Sequence, residues 1–294
     1  MPLGKTMGSW RVAADRQPVR KMKNTLRNKE DFTVKRPYRI SVVELTRIVR
    51  FHLDGSPSPL GCNGYAGRPG LSKIAPMVEV HITLRGEPDP KTHYVLDIKK
   101  FDQWANEHIF PALSTCPGST TVTQSLRNAF QTQNDFPHEL ISIKLQLSPY
   151  ASLSLDATMP NVPLALTFTQ TYDFAAAHYL WAHNADEAKN RSLYGKCSGI
   201  HGHNYQVEVV VEPESNDPIP SDKLDHLVTE HLLDAWDHQV LNELDDFQDV
   251  PPSVERIAQI AAARLVDPLA ASNLKLREVS VSETDRTRAR VRLG

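Results

Sequence analysis

Cysteine is scarce in this sequence. Cys62, Cys116 and Cys197 are the only three in 294 residues. An odd number, widely spaced, argues against a disulfide framework and makes a reducing cytoplasm the expected setting. Excess charge is also missing: 33 basic residues against 35 acidic ones leave a net charge of −2. That gives no electrostatic ground for a nucleic-acid or membrane partner. No apolar run approaches the ~20 residues that cross a bilayer, and the first residues show no signal-peptide core. What is present is 40% hydrophobic content, enough for two domains of ordinary size, each with its own core.

Residues 1–37 are polar and locally basic, without apolar periodicity. They read as a disordered tail, with a partner-binding arm as the alternative. Beyond them the pattern predicts a strand over 38–51 and a Gly- and Pro-rich connection over 55–70. A strand over 77–84 and a short extended piece over 94–98 follow. Phe101, Trp104, Ala105, Ile109 and Phe110 recur at helical spacing, as do Val122, Leu126, Ala129 and Phe130. A hairpin over 140–147 and 152–155 closes the region. After a linker at 159–163 the order returns: strand 164–174, loop 182–197, strand 205–211 and a helix over 224–236. A second helix follows Pro251-Pro252, with Ser253 as its N-cap. Strands over 276–281 and 288–293 come last.

The chain therefore reads as strand–strand–helix–helix–strand–strand written twice, with domains expected at 38–158 and 159–294. Val78-Glu79-Val80 lies 129 residues before Val207-Glu208-Val209. Aligned on that anchor, Ser72 stands opposite His201 and Ile74 opposite His203. Aligning the last strands puts Leu147 opposite Glu283. The first half keeps the apolar pattern and lacks the polar constellation.

That constellation centres on the stretch from Cys197 to Tyr205. His201 and His203, separated by Gly202, share one face of a strand about 7 Å apart. His178, in Phe174-Ala175-Ala176-Ala177-His178, can supply a third imidazole from a neighbouring strand. Three neutral imidazoles with an open fourth position are the ligand set of a catalytic zinc. For His-Gly-His alone, a turn with two solvated histidines is the plainer alternative. Cys197 beside a dication would have a lowered pKa and be a usable base; an inert buried cysteine is the alternative. Asp237 can orient His238, but adjacent residues of a helix do not face each other. Contact therefore requires the helix to break there, and otherwise His238 is a favourable charge at a helix end. Glu283, at a strand end, can accept paired hydrogen bonds from a planar amidine-like edge, or be an ordinary exposed end. Glu255, in the first turn of its helix, suits the helix dipole.

Together these pieces resemble the 6-pyruvoyl- and 6-carboxytetrahydropterin synthase family. Its ordered motifs are F-x-A-A-H, C-x3-H-G-H or C-x5-H-G-H, D-H-x-x-L-N, P-T/S-x-E and E-T. Here they are matched by Phe174 to His178, Cys197 to His203, Asp237 to Asn242, Pro252 to Glu255, and Glu283-Thr284. The resemblance covers about residues 164–294. It implies an α+β T-fold, a four-stranded antiparallel sheet with two helices on one face. The first half would then be a degenerate tandem copy, and such sheets would assemble into a barrel that hides their edges. It implies one zinc per chain on His178, His201 and His203, with Cys197, Asp237 and His238 catalytic and Glu283 and Thr284 binding the substrate. It further implies 7,8-dihydroneopterin triphosphate as substrate and a cytoplasmic homo-oligomer, with a trimer of tandem chains as one form. The three-residue gap between Cys197 and His201 resembles the carboxy branch, which serves queuosine and 7-deazaguanine synthesis. The pyruvoyl branch, or a zinc- and pterin-binding protein without turnover, are the alternatives. The chain departs from the family at Pro218 to Asp222 and at Arg256, where Gly-Met-Val-x-Asp and Asn are usual.

Overall fold

A computed structural model describes residues 42–53, 60–61, 76–115, 119–131, 138–157, 164–214 and 221–294. The expected basic tail, most of the Gly- and Pro-rich connection, the 159–163 linker, Ser72 and Ile74 lie outside them. Residues Ile40–Gly294 group as one compact unit.

Alternation of branched apolar and polar residues makes long strands. In the first half these are β1 (Val43–His52), β2 (Met77–Gly86), β3 (Glu139–Ser148) and β4 (Ala151–Asp156). The second half supplies β5 (Ala165–His178), β6 (His201–Pro213), the short β7 (Gln239–Val240), β8 (Leu274–Thr284) and β9 (Thr287–Arg292). They form one sheet in the order β1-β2-β3-β4-β5-β6-β8-β9, antiparallel throughout. The exception, β7, runs parallel to the end of β5 at Ala176 and Ala177.

Two separate four-stranded sheets are therefore not what forms. β4 pairs with β5 from Ala151↔Gln170 to Asp156↔Ala165, so the two halves share one hydrogen-bonded surface. The physical reason is that each of these strands would otherwise present a row of unpaired N–H and C=O groups. The sheet is not closed within the chain: β1 and β9 are its two ends.

In the first half the helices are α1 (Ile98–Trp104), α2 (Phe110–Thr115), joined to it by a π-helical stretch over Ala105–Ile109, and α3 (Ser119–Gln131). The second half contains α4 (Glu187–Tyr194), α5 (Ser221–Val228), a π-helical stretch over Thr229–Leu233, α6 (Asp234–Trp236) and α7 (Val254–Ala271). The extended piece expected at 94–98 is instead a turn ending in the Asp97 cap of α1, whose carboxylate accepts from the Lys99 N–H. Ser253 caps α7 as its position predicts, accepting from the Arg256 N–H. The loop expected over 182–197 contains α4. That helix is nearly all polar, so apolar spacing does not announce it. Asp186 caps it and the fully buried Asn190 ties it to Ala182 and Ala185.

One face of the sheet is apolar. Val78, Val80, Ile82 and Leu84 of β2 and Tyr205, Val207, Val209 and Val211 of β6 are buried there. They join Phe101, Trp104 and Leu126 of the first helices and Trp236, Ile257, Ala261 and Leu265 of the later ones in one continuous core. Each such large side chain, fully buried, contributes about 1.5–3 kcal/mol relative to exposure. The opposite face carries ion pairs such as Arg50–Glu79 and Arg288–Glu208. The sheet's period of two thus decides that His201 and His203 point towards the helices with Tyr205, and away from that charged face.

Candidate metal centre

β5 ends at His178 and β6 begins at His201, and the two residues are direct cross-strand partners. His203 lies opposite Ala176. Gly202 makes the close approach possible, because a Cβ there would stand 3.3 Å from the Ala176 carbonyl oxygen. The ligand nitrogens of His178, His201 and His203 all lie within 4.8 Å of one another. Among the described residues this cluster consists of the three histidines alone; Cys197, Asp237, His238 and Glu283 stand outside it.

The rings are held from behind. His178 Nδ1 lies 2.7 Å from the Pro252 carbonyl oxygen and His201 Nδ1 lies 2.9 Å from that of Gly199. A carbonyl only accepts, so each Nδ1 carries the proton and each Nε2 is left with a lone pair. His178 is 1% exposed, and burial pushes its pKa down to about 4. The neighbouring His201 and His203 add to the lowering, while the Pro252 carbonyl opposes it. His178 is therefore neutral near pH 7, and its Nε2 faces that of His201 at 3.1 Å. Two lone pairs at that distance repel, and a cation between them turns the repulsion into coordination. A tetrahedral site with bonds of about 2.0–2.1 Å sets its nitrogens roughly 3.3 Å apart. The donor set thus fits a divalent first-row metal, zinc included.

Tyr205 belongs to this face although the sequence reading did not single it out. The available signal was its parity with His201 and His203. Its ring stacks on its cross-strand partner Phe174 at 4.8 Å and meets His203 edge-on at 5.5 Å. It is fully buried, and among the described residues its hydroxyl has no hydrogen-bond partner. Burial, and then the charge of Glu283, hold the phenol above its usual value. Glu283, half-buried, follows Ser282 of β8, which pairs with Gln206 of β6. The next position along brings it beside Tyr205. Thr284 is exposed, and its hydroxyl accepts from the Arg286 N–H in the β8–β9 turn.

Asp237 and His238 do meet, because α6 stops at Trp236. Asp237 is extended and His238 takes a left-handed φ of 59°, a conformation that costs a side-chain-bearing residue about 1–2 kcal/mol. β5 holds it in place: the Ala175 N–H donates to Asp237 Oδ1 at 2.8 Å, and the His238 N–H donates to the Ala175 carbonyl at 2.6 Å. Asp237 Oδ2 then lies 2.9 Å from His238 Nδ1. The Ala175 N–H, followed by His238, keeps the Asp237 carboxyl below the usual range. Asn242 fastens the same segment to Tyr179 by two 2.8 Å bonds. His238 and the candidate ligand His203 both line a cavity of ≈ 490 Å³, together with Ala175 to Ala177, Gly202 and Asn204. Cys197 is an exposed free thiol on the 3-10 turn Gly195–Ser198, and its carbonyl accepts from the Leu180 N–H at 2.8 Å.

Residues 167–293, which hold the whole of this arrangement, match the family described as 6-pyruvoyl tetrahydropterin synthase. A 6-pyruvoyl tetrahydrobiopterin synthase of Poecilia reticulata is 30% identical over 125 residues, 40% of this chain and 84% of that relative. A protein of the same name from Pongo abelii is 32% identical over 92 residues, 29% of this chain and 63% of the relative. The solved Caenorhabditis elegans 6-pyruvoyl tetrahydropterin synthase is 26% identical, covering 44% of this chain and 95% of its own, with a TM-score of 0.39. Through the half that carries the three histidines, the chain belongs to the 6-pyruvoyl tetrahydropterin synthase family.

Proposed function

We propose that the chain is a zinc-dependent tetrahydropterin synthase, a lyase that eliminates triphosphate from 7,8-dihydroneopterin triphosphate. The observation that carries this reading is the three-histidine cluster, one ring nitrogen of each lying within 4.8 Å of the others, in a chain of this family. His178, His201 and His203 hold the metal. Zinc, when bound, supplies Lewis-acid stabilisation of charge developing on the substrate's side-chain oxygens. The exposed Cys197 thiol is the base that removes a carbon-bound proton. His238, oriented by Asp237, moves a proton at oxygen. Glu283 accepts paired hydrogen bonds from the guanidine edge of the pterin, and Thr284 holds the turn beside it.

Two product branches share this chemistry. The pyruvoyl product is favoured by the curated relatives, five of which bear the name 6-pyruvoyl tetrahydrobiopterin synthase. The carboxy product of the queuosine and 7-deazaguanine route is favoured by the three-residue spacing of Cys197 and His201. Incubating the purified protein with 7,8-dihydroneopterin triphosphate separates them. Triphosphate with a pyruvoyl pterin is the expected result. Acetaldehyde with a carboxypterin assigns the second branch. No triphosphate at all leaves a pterin- and zinc-binding protein and removes the enzyme.

The first half, 38–158, serves assembly in this reading, as a degenerate copy of the catalytic 159–294. Its partner is a second copy of the chain, β9 of one joining β1 of the next, so that three chains close a barrel. The two sheet ends support this, since both strands pair on one side only among the described residues. No described helix is long and apolar enough to cross a membrane, and a free exposed thiol suits the cytoplasm.

A further inference from the structure

Two complementary groups beside the metal centre lack partners. Among the described residues the Tyr205 hydroxyl is buried without a hydrogen bond, although desolvating such a donor is unfavourable. A phenylalanine would stack on Phe174 and fill the same space without that cost. Glu283 makes no hydrogen bond or ion pair with any described residue. The β6–β8 register sets the two side by side on the helix-facing side of the sheet. One is a donor without an acceptor, the other an acceptor without a donor.

We propose that Tyr205 is the positioning residue for Glu283: its hydroxyl donates to one carboxylate oxygen when ligand is bound and fixes the plane in which the carboxylate meets the ligand. The inference rests on the reading of Glu283 as the pterin anchor. A carboxylate receiving two parallel N–H bonds from a planar edge has to lie in the plane of that edge. A glutamate at a strand end has three side-chain torsions to lose before it does so, an entropic cost that opposes binding. A hydrogen bond from a phenol that is itself immobile, stacked on Phe174 and flanked by His203, removes much of that cost. Its effect falls on substrate binding, while the metal and the proton-transfer groups are untouched.

The test compares Tyr205→Phe, Glu283→Gln and the double variant in the full-length, zinc-loaded protein. KM and kcat for 7,8-dihydroneopterin triphosphate, zinc per chain and the thermal midpoint are measured for each. Tyr205→Phe is expected to raise KM about tenfold, the worth of one ~1.4 kcal/mol hydrogen bond, with kcat within about twofold. Zinc and midpoint stay at the wild-type value or the midpoint rises. Because Tyr205 acts through Glu283, the double variant is no worse than Glu283→Gln alone. If Glu283→Gln raises KM and Tyr205→Phe does not, or if the two effects multiply, the positioning role is wrong and the anchor stands. If Glu283→Gln leaves KM unchanged, the anchor reading fails and takes this inference with it. Loss of zinc or of thermal stability in Tyr205→Phe would show a structural hydroxyl and overturn the proposal.

Discussion

Between the sheet and the helices of the first half, Arg47 of β1 meets Asp102 of α1 through two bonds of 2.8 and 2.9 Å. The Gly61 N–H donates to the same carboxylate. In the corresponding layer of the second half stand three histidines and a tyrosine. There, two ring nitrogens face each other as bare lone pairs and a buried hydroxyl has no partner. Both halves bury polar groups on the side where Val78 and Val80, or Val207 and Val209, build the core. In the first, opposite charges answer each other and a loop is tied down. In the second, the acceptors are all of one kind and call for a cation from outside. Buried polar groups, unsatisfied ones included, occur in both halves, as Arg127 Nε shows in the first; what sets the histidine cluster apart is that its groups converge as acceptors of one kind.

The widest test of that contrast counts metal. The purified chain is expected to hold one zinc, measured by mass spectrometry of the element, and a second in the first half would erase the distinction. Cys197→Ala should keep that zinc while kcat falls by about 10²–10⁴-fold, the usual worth of a positioned base; undiminished turnover would remove Cys197 from the mechanism. Next in size, Asp102→Ala removes the fully buried carboxylate to which the part-buried Arg47 guanidinium and the Gly61 N–H both donate. It should cost about 3–5 kcal/mol in urea unfolding, with the zinc content of the folded fraction unchanged. Zinc loss there would mean that the halves are energetically one. The smallest effect is in pH. A histidine whose folded pKa is about 4, against an ordinary 6.5, lets the unfolded chain take up the proton first. The metal-free protein should therefore keep its stability above about pH 6.5 and lose up to about 3 kcal/mol as the pH falls to about 4. Chelator-treated samples unfolded across that range would show it, and a flat profile would place His178 in a wetter site than its 1% exposure indicates.

Much of the centre is legible from local rules. His-Gly-His on a branched strand gives two imidazoles on one face by alternation, and β6 runs from His201 as that pattern requires. Ser253 before an apolar helical stripe gives a cap, and the cap is there. Local rules fail where a residue's conformation is fixed by something distant in sequence. Asp237 and His238 touch only because Ala175 bonds to both. α4 survives without an apolar stripe because Asn190 saturates the backbone around it.

What the sequence settled unaided was the long strands and the apolar-striped helices of each half, α4 and β7 apart, and which half holds the histidines. Periodicity and capping are properties of neighbours along the chain, so no fold is needed to read them. Only the tertiary structure decided that the two halves share one open sheet, that Pro252 and Gly199 turn two imidazoles towards the same point, and that Tyr205 comes to lie beside Glu283. Those outcomes depend on hydrogen bonds and strand register between segments tens of residues apart. Such pairings are chosen by the packing of the whole core and leave no local trace in the residues that make them.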